Sequence, residues 1–425
     1  MDGEDSFWTS LIDGLSADVH SGKVYALAIG KAATEMAAAL NAKLGNRLTT
    51  GLIAVPEYLH RRALKIEGWS VFAAGHPLPT EESLAAAQAA FALLDQAERE
   101  QALVIFLISG GGSALLEWPG DPRITLADLR EANRQLISCG ASIGEINAVR
   151  RSFSAIKGGK LAARAPRATK VTLLVSDVNR GAESNVASGP TLLPVNEPDA
   201  REVVKRYGLG SSLPASVMQA VNEVKTSLPF PIGRHTSHVL IDNQTILEAA
   251  AEGLRRRSVE VETDIDICEQ PIIEGCELLL EHVPRLLEQA RRRQRPAGLI
   301  SGGEFACPVR GTGIGGRNLE TVLRCAIALD QRRNSLGCDS SSAGDSSHIV
   351  FLSAGTDGVD GNSEVAGAIA DETTVARGRA MGLDASQFLE NSDAFNYFKA
   401  LKNTVFTFPT GTNVGDLRIL LVSAQ

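Results

Sequence analysis

The stretch VYALAIGKAATEMAAALNAKLG (24–45) decides the fold. VYALAIG reads as a strand buried on both faces, and an alanine-rich helix begins at Lys31, directly after its terminal glycine. The arrangement recurs in ALVIFLISGGGSALL (102–116), where a second apolar strand runs through three glycines into a helix. VTLLVSDV (171–178) is a third such strand, and it opens into the polar loop NRGAESNVASGPT (179–191). Between the first two lie the short strand GLIAVP (51–56), VFAAGHPLP (71–79) with its glycine-proline turn, and the helix EESLAAAQAAFALLDQAE (81–98). The acidic first turn of that helix suits the helix dipole. Apolar strands alternating with helices predict an α/β fold with a parallel sheet covered on both faces.

Farther along, helices are expected near 125–140, over 143–163, and over 196–228 with a break at Pro214. PFPIGRHT (229–236) reads as a linker, which divides the chain into domains 1–232 and 233–425. The second part opens with a strand and basic-tailed helix in HVLIDNQTILEAAAEGLRRR (238–257). A strand at 259–267 and one long helix at 274–293 follow. GLISGGEFACPVRG (298–311) reads as a sheet segment, and the tight loop GTGIGGRN (311–318) leads into another helix. HIVFLSAGTDGVDG (348–361) is a strand with a glycine-aspartate loop, and FTFPTGTNVGDLRILLVS (406–423) closes on a last apolar strand. The serine-rich run CDSSSAGDSS (338–347) reads as a surface loop.

Composition narrows the function. A chain of 425 residues, 44% apolar, can bury more than one large core. Forty-two Lys and Arg against 50 Asp and Glu give a net charge of -8, which disfavours a nucleic-acid surface, and 5% aromatic residues provide few stacking platforms. The acidic start MDGEDSFWTSLIDGL lacks the pattern of a secretory signal, and the apolar runs are strand-length rather than membrane-spanning. The six cysteines, at 139, 268, 276, 307, 325 and 338, form no Cys-x-x-Cys pair. They read as reduced thiols in a cytoplasmic protein, without a zinc pattern. The expectation is a cytoplasmic enzyme with no nucleic-acid or membrane partner; the oligomeric state stays open, a homodimer included.

In open parallel sheets, ligands bind beyond the carboxyl ends of strands. Five loops share that placement: Gly30-Lys31, Ser109–Ser113, Ser176-Asp177, Ser301–Glu304 and Gly355–Gly361. Gly110, Gly111 and Gly112, with Ser113, can bring backbone N–H groups close to an anion, or can simply form a tight turn. Lys31 opposes the dipole of the helix it begins, which favours a ligand anion as its partner over a snorkelling surface position. Lys157, beside Gly158 and Gly159, is the preferred ligand contact in SAIKGGKLAAR (154–164). Arg317, in a glycine-rich loop, can clamp a carboxylate or phosphate, or form a loop salt bridge. Asp177, Glu304, Asp357 and Asp360 are strand-end carboxylates able to hold magnesium, orient a hydroxyl, or cap a helix. His76 and His348 serve as bases only if the fold brings them close to these groups. The loops lack a Walker A ending and a clean Gly-x-Gly-x-x-Gly signature, and GGGSA is not a nucleophile elbow.

Taken together, these motifs resemble the glycerate 2-kinase family, two-domain kinases whose carboxy-terminal part is called the MOFRL domain. The resemblance rests on IGKAATEM (29–36), GHPLP (75–79), LISGGGSALL (107–116), SAIKGGKLA (154–162), VSDV (175–178) and ASGPT (187–191). It continues in SGGE (301–304), VRGTGIGGRN (309–318), AGTDGVDG (354–361), AGA (366–368) and PTGTNVGDLRILLV (409–422). It implies a Rossmann-like amino-terminal domain, a smaller α/β MOFRL domain, and phosphorylation of D-glycerate at its 2-hydroxyl by ATP with Mg2+. The family's active-site lysine falls on Lys31 and its arginine on Arg317. For such a kinase Gly110–Ser113, Lys157 and Gly189 are the expected nucleotide contacts, and Asp177, Glu304 and Asp357 the candidate Mg2+ carboxylates. Some members are labelled hydroxypyruvate reductases, a chemistry for which this chain has no cofactor fingerprint. Departures from the family pattern are Thr80, the NRGAES loop (179–184), Ser152-Phe153, Phe305-Ala306, Ile314, Leu319 and Gly415. If they line the cleft, the alternatives are a kinase for another small hydroxy acid or alcohol, or a catalytically silent ligand-binding homologue; Phe305 in particular suggests a more apolar pocket.

Overall fold

The computed structural model describes residues 22–62, 66–223, 233–335 and 348–423. The serine-rich run expected as a surface loop, at 338–347, lies outside the described residues, as does the first half of the expected linker, 229–232; its last two residues begin a strand. The chain divides into two compact units, Met1–Leu240 and Ile241–Gln425.

In the first unit β1 (Val24–Ile29), α1 (Ala33–Leu44), β2 (Leu48–Pro56) and β3 (Trp69–Ala74) are followed by α2 (Glu81–Glu100) and β4 (Leu103–Ser109). Then come the single turn α3 (Gly112–Leu115), α4 (Leu126–Ser138), α5 (Ile143–Phe153), the turn α6 (Lys160–Ala163) and β5 (Thr169–Val175). Helices α7 (Ala200–Arg206) and α8 (Ala215–Glu223) precede β6 (His235–Ile241). The strands form one sheet in the order β3-β2-β1-β4-β5-β6, the doubly wound order, and β1 to β5 pair in parallel. Alternate residues of β1 explain its unbroken apolar run. Tyr25, Leu27 and Ile29 enter the core on one face, while Val24, Ala26 and Ala28 enter that on the other. Strand β6, beyond the Pro-rich stretch, still belongs to this sheet. The Lys170 N–H donates to the Arg234 carbonyl at 2.9 Å, and Thr172 Oγ1 lies 2.9 Å from His235 Nε2.

The second unit contains α9 (Asn243–Arg255), β7 (Glu260–Asp264), α10 (Ile272–Glu281), α11 (Val283–Arg293) and β8 (Ala297–Gly302). Next are α12 (Arg317–Ser335), β9 (His348–Gly355), β10 (Gly367–Asp371), and the helices α13 (Thr374–Ala380), α14 (Ala385–Glu390) and α15 (Ala394–Leu401). Strands β11 (Thr404–Val405) and β12 (Asp416–Ser423) end the fold. This sheet runs β11-β10-β9-β12-β8-β7 and is mixed: only β7 and β8 pair in parallel, the other neighbours being antiparallel. The single helix expected over 274–293 is two helices joined at His282, because Pro284 occupies the first turn of α11, where its missing N–H costs nothing. Among the described residues no helix is long and apolar enough to cross a membrane.

Candidate active site

The strand order of the first sheet reverses between β1 and β4, and two of the expected loops leave that point side by side. The Lys31 N–H donates to the Gly110 carbonyl at 2.9 Å, and Ser109 Oγ accepts from the Ala32 N–H at 3.0 Å. Gly30 has φ +124°, and a Cβ there would stand 2.2 Å from Ser109 Oγ, so only glycine permits this crossing. Gly111 has φ +80°, and a Cβ there would lie 3.2 Å from both Lys31 Cγ and His76 Nε2. A Cβ on Gly110 would lie 2.0 Å from Asp177 Oδ2. Lys31, His76 and Asp177, which come from three different strand ends, therefore surround one glycine loop. His348 is elsewhere: it opens β9 and pairs with Glu372 at 2.9 Å.

Two of the expected nucleotide contacts have other tasks. Lys157 is 1% exposed, and its Nζ donates to the Ser113 carbonyl at 2.9 Å and pairs with the equally buried Glu117. Burial lowers the Lys157 pKa and the Glu117 charge opposes that shift. A side chain enclosed in this way cannot reach a ligand; it braces the glycine loop from behind. Gly189 is also structural. Its N–H donates to the Val186 carbonyl at 2.8 Å, and its own carbonyl accepts from the Gly159 N–H at 2.7 Å. The loop it ends is joined to the glycine loop by Ser113 Oγ and Ser188 Oγ, 2.9 Å apart. Ser188 Oγ in turn donates to Asn147 Oδ1 at 2.8 Å.

In the second unit Arg317 opens α12 between two carboxylates. Its Nε and Nη2 donate to the two oxygens of Asp416 at 2.6 and 3.2 Å, and Nη2 also meets Glu304 Oε1 at 2.6 Å. Asp416 is 1% exposed, whereas the Glu304 side chain is 37% exposed. Burial alone works against the Arg317 charge, but Asp416 and Glu304 outweigh it and hold the guanidinium above its ordinary pKa. Asn318 ties the anchor down. Its Nδ2 donates to Asp416 Oδ1 at 2.9 Å and to Asp360 Oδ1 at 3.3 Å, and its Oδ1 accepts from Ser353 Oγ at 2.5 Å. Asp360 takes the N–H groups of Asn318 and Leu319 at 3.1 and 2.8 Å, so it caps α12 rather than facing a ligand. Burial pushes its carboxyl up to about 6; those N–H bonds pull it down and the Asp416 charge pushes it up.

Asp416, Asn318 and Asn243 escaped the sequence reading. Asn243 Oδ1 accepts from the Gly303 N–H at 3.1 Å, while its Nδ2 donates to the carbonyls of Val414 and Asp416 at 2.8 and 3.0 Å. It thereby joins the end of β8 to the start of β12. Asp416 stood inside a quoted motif, TNVGD, and its place at the start of an apolar strand was the one available signal. Several departures from the family pattern also move away from the site. Phe305 is 3% exposed and lies under the Arg418 guanidinium, 3.8 Å from the ring centre. Leu319 and Phe153 are core residues; Thr80, by contrast, caps α2 and accepts the Gly75 N–H at 3.1 Å, so it stays at the loop that carries His76. The apolar pocket suggested by Phe305 is therefore a buried cation-aromatic stack.

Among the described residues no group of three or more His, Cys, Asp or Glu side chains is arranged to hold a metal. Asp177 stands in the first unit; Glu304 and Asp357 stand in the second, where Glu304 pairs with Arg317 and Asp357 accepts the Val359 N–H at 3.1 Å.

Doubly wound topology, an anion-suited loop at the switch point and an anchored arginine in a second α/β unit define a two-unit α/β enzyme of small anionic molecules. Residues 9–222 match a family model described as a domain of unknown function (DUF4147), and residues 297–416 match the MOFRL family. The chain is 35% identical over 404 residues to D-glycerate 2-kinase of Thermotoga maritima, covering 94% of this chain and 91% of that protein. It is 33% identical over 411 residues to glycerate 2-kinase of Pyrococcus horikoshii, covering 95% and 88%. The crystal structure of glycerate kinase from Thermotoga maritima aligns with a TM-score of 0.76 at 31% identity, over 97% of this chain and 94% of that one. The chain belongs to the glycerate 2-kinase family.

Proposed function

We propose that this chain is an ATP-dependent kinase that transfers a phosphoryl group to the 2-hydroxyl of D-glycerate. The observation that carries this reading is Lys31 set beside the Gly111 loop at the sheet's switch point, within the framework of a glycerate kinase family. Lys31 meets the phosphoryl oxygens as negative charge develops on them, and the N–H groups of the glycine loop orient the phosphates. Arg317, held by Asp416, offers the Nη2 end of its guanidinium to the glycerate carboxylate. The 2-hydroxyl oxygen attacks the γ-phosphorus, the bond to the bridging oxygen breaks to release ADP, and the hydroxyl proton passes to solvent. Bound Mg2+ would offset charge on the phosphates, with Asp177, beside the glycine loop, as a carboxylate available to it. Lys157 and Gly189 support the loops instead of touching nucleotide.

The alternative of another alcohol substrate keeps its force at the exposed segment Arg180-Gly181, at the exposed Ile314 and at Gly415, which adjoins Asp416. ADP release screened against hydroxy acids, sugar acids and polyols tests the assignment. D-glycerate should give the highest catalytic efficiency; a sugar acid or polyol that exceeds it would displace the assignment.

A further inference from the structure

Arg317 has two carboxylate partners of unequal standing. Asp416 is fixed: it is buried, it takes two hydrogen bonds from the guanidinium, and Asn318 and Asn243 hold its side chain and backbone. Glu304 meets the same Nη2 from a partly exposed position on the loop after β8. That loop is itself well supported, since the Gly303 N–H is held by Asn243 and Arg418 Nη1 donates to the Gly303 carbonyl at 3.1 Å. A guanidinium facing two carboxylates has an excess of negative charge around it, so an incoming anion is repelled until one of them withdraws. The buried one cannot withdraw without leaving an unpaired charge, whereas the exposed one loses little by returning to water.

We infer that Glu304 is a displaceable counter-ion that occupies the anion position on Arg317 and is exchanged for an anionic oxygen of the substrate. Asp416 is the permanent anchor, and Glu304 sets how tightly the site takes its anion. The identity of that anion as the glycerate carboxylate rests on the proposed function; the exchange itself does not. The exchange is of like for like, one carboxylate for another or for a phosphate oxygen, and it leaves the local charge nearly unchanged. An uncharged molecule forms no ion pair with Arg317 in place of the one Glu304 gives up, so the device also discriminates against neutral alcohols.

Glu304→Gln tests this by calorimetric titration in chelator, without nucleotide or metal, with D-glycerate in one arm and inorganic phosphate in the other. Removing the competitor should tighten binding about fivefold, the scale of a partly exposed ion pair. A gain for D-glycerate assigns the exchange to the carboxylate, and a gain for phosphate alone assigns it to a phosphate oxygen. Equal or weaker binding of both would overturn the inference. So would a gain that persists when Arg317→Ala is added, because it would then reflect general charge rather than this contact. Because the readout is binding, absence of glycerate-dependent ADP release by the wild type would defeat the kinase reading and leave this test intact.

Discussion

Lys157 Nζ donates to the Ser113 carbonyl at 2.9 Å from a position that is 1% exposed, while pairing with a Glu117 that is no more exposed. A lysine that reads as a ligand contact is thus a buried brace for the loop that faces the ligand. Lys157→Met should strand the Glu117 charge in the interior and destabilise the protein by about 3–5 kcal/mol. Adding Glu117→Leu should restore most of that loss, since an apolar pair of similar volume is often no less stable. Denaturant unfolding of both variants checks the pair, and a double variant as unstable as the single one would contradict it.

Lys31→Ala should lower turnover far more than it weakens binding of glycerate, because its contact strengthens as charge develops on the transferring oxygens. A loss of roughly 3–4 kcal/mol in transition-state stabilisation is expected. Steady-state kinetics beside direct binding measures the split, and unchanged turnover at saturating ATP and glycerate would remove Lys31 from the chemistry.

Arg317→Lys should fold but lose activity, since an ammonium cannot span the Asp416 carboxylate side-on and still reach a substrate anion. Glycerate should suffer more than an active analogue with a neutral alcohol in place of its carboxylate. Equal losses would move Arg317 from carboxylate to phosphate, and no loss for either would reject both roles.

Asp360 gives a pH signature in stability. Its folded pKa of about 6 lies above that of an unfolded aspartate, so its protonated form favours the fold below about pH 4 and that contribution fades as pH rises through about 6. The melting temperature of the wild type minus that of Asp360→Asn should therefore fall between about pH 4 and 6 and level off above. A difference that rises through this window would contradict the cause given for the shift.

Much of this was legible because burial writes itself into a sequence. VYALAIG could only be a strand covered on both sides, and Lys31 stood out because its charge opposed the dipole of the helix expected to begin there, although that helix starts two residues later, at Ala33. What escaped depends on partners distant along the chain. Nothing near Lys157 announces Glu117, 40 residues earlier, and nothing near Arg317 announces Asp416, 99 residues later. Phe305 follows Glu304 directly, yet one side chain meets Arg317 and the other turns inward under Arg418. Adjacent positions on an irregular loop have no periodicity from which to read such a division.

The most direct test of phosphoryl transfer to glycerate is phosphorus NMR of the product formed from D-glycerate, ATP and Mg2+. A 2-phosphoglycerate resonance growing in step with ADP, and absent with Lys31→Ala, is the expected result. ADP formation without a phosphorylated glycerate, or phosphate on the 3-hydroxyl, would contradict it.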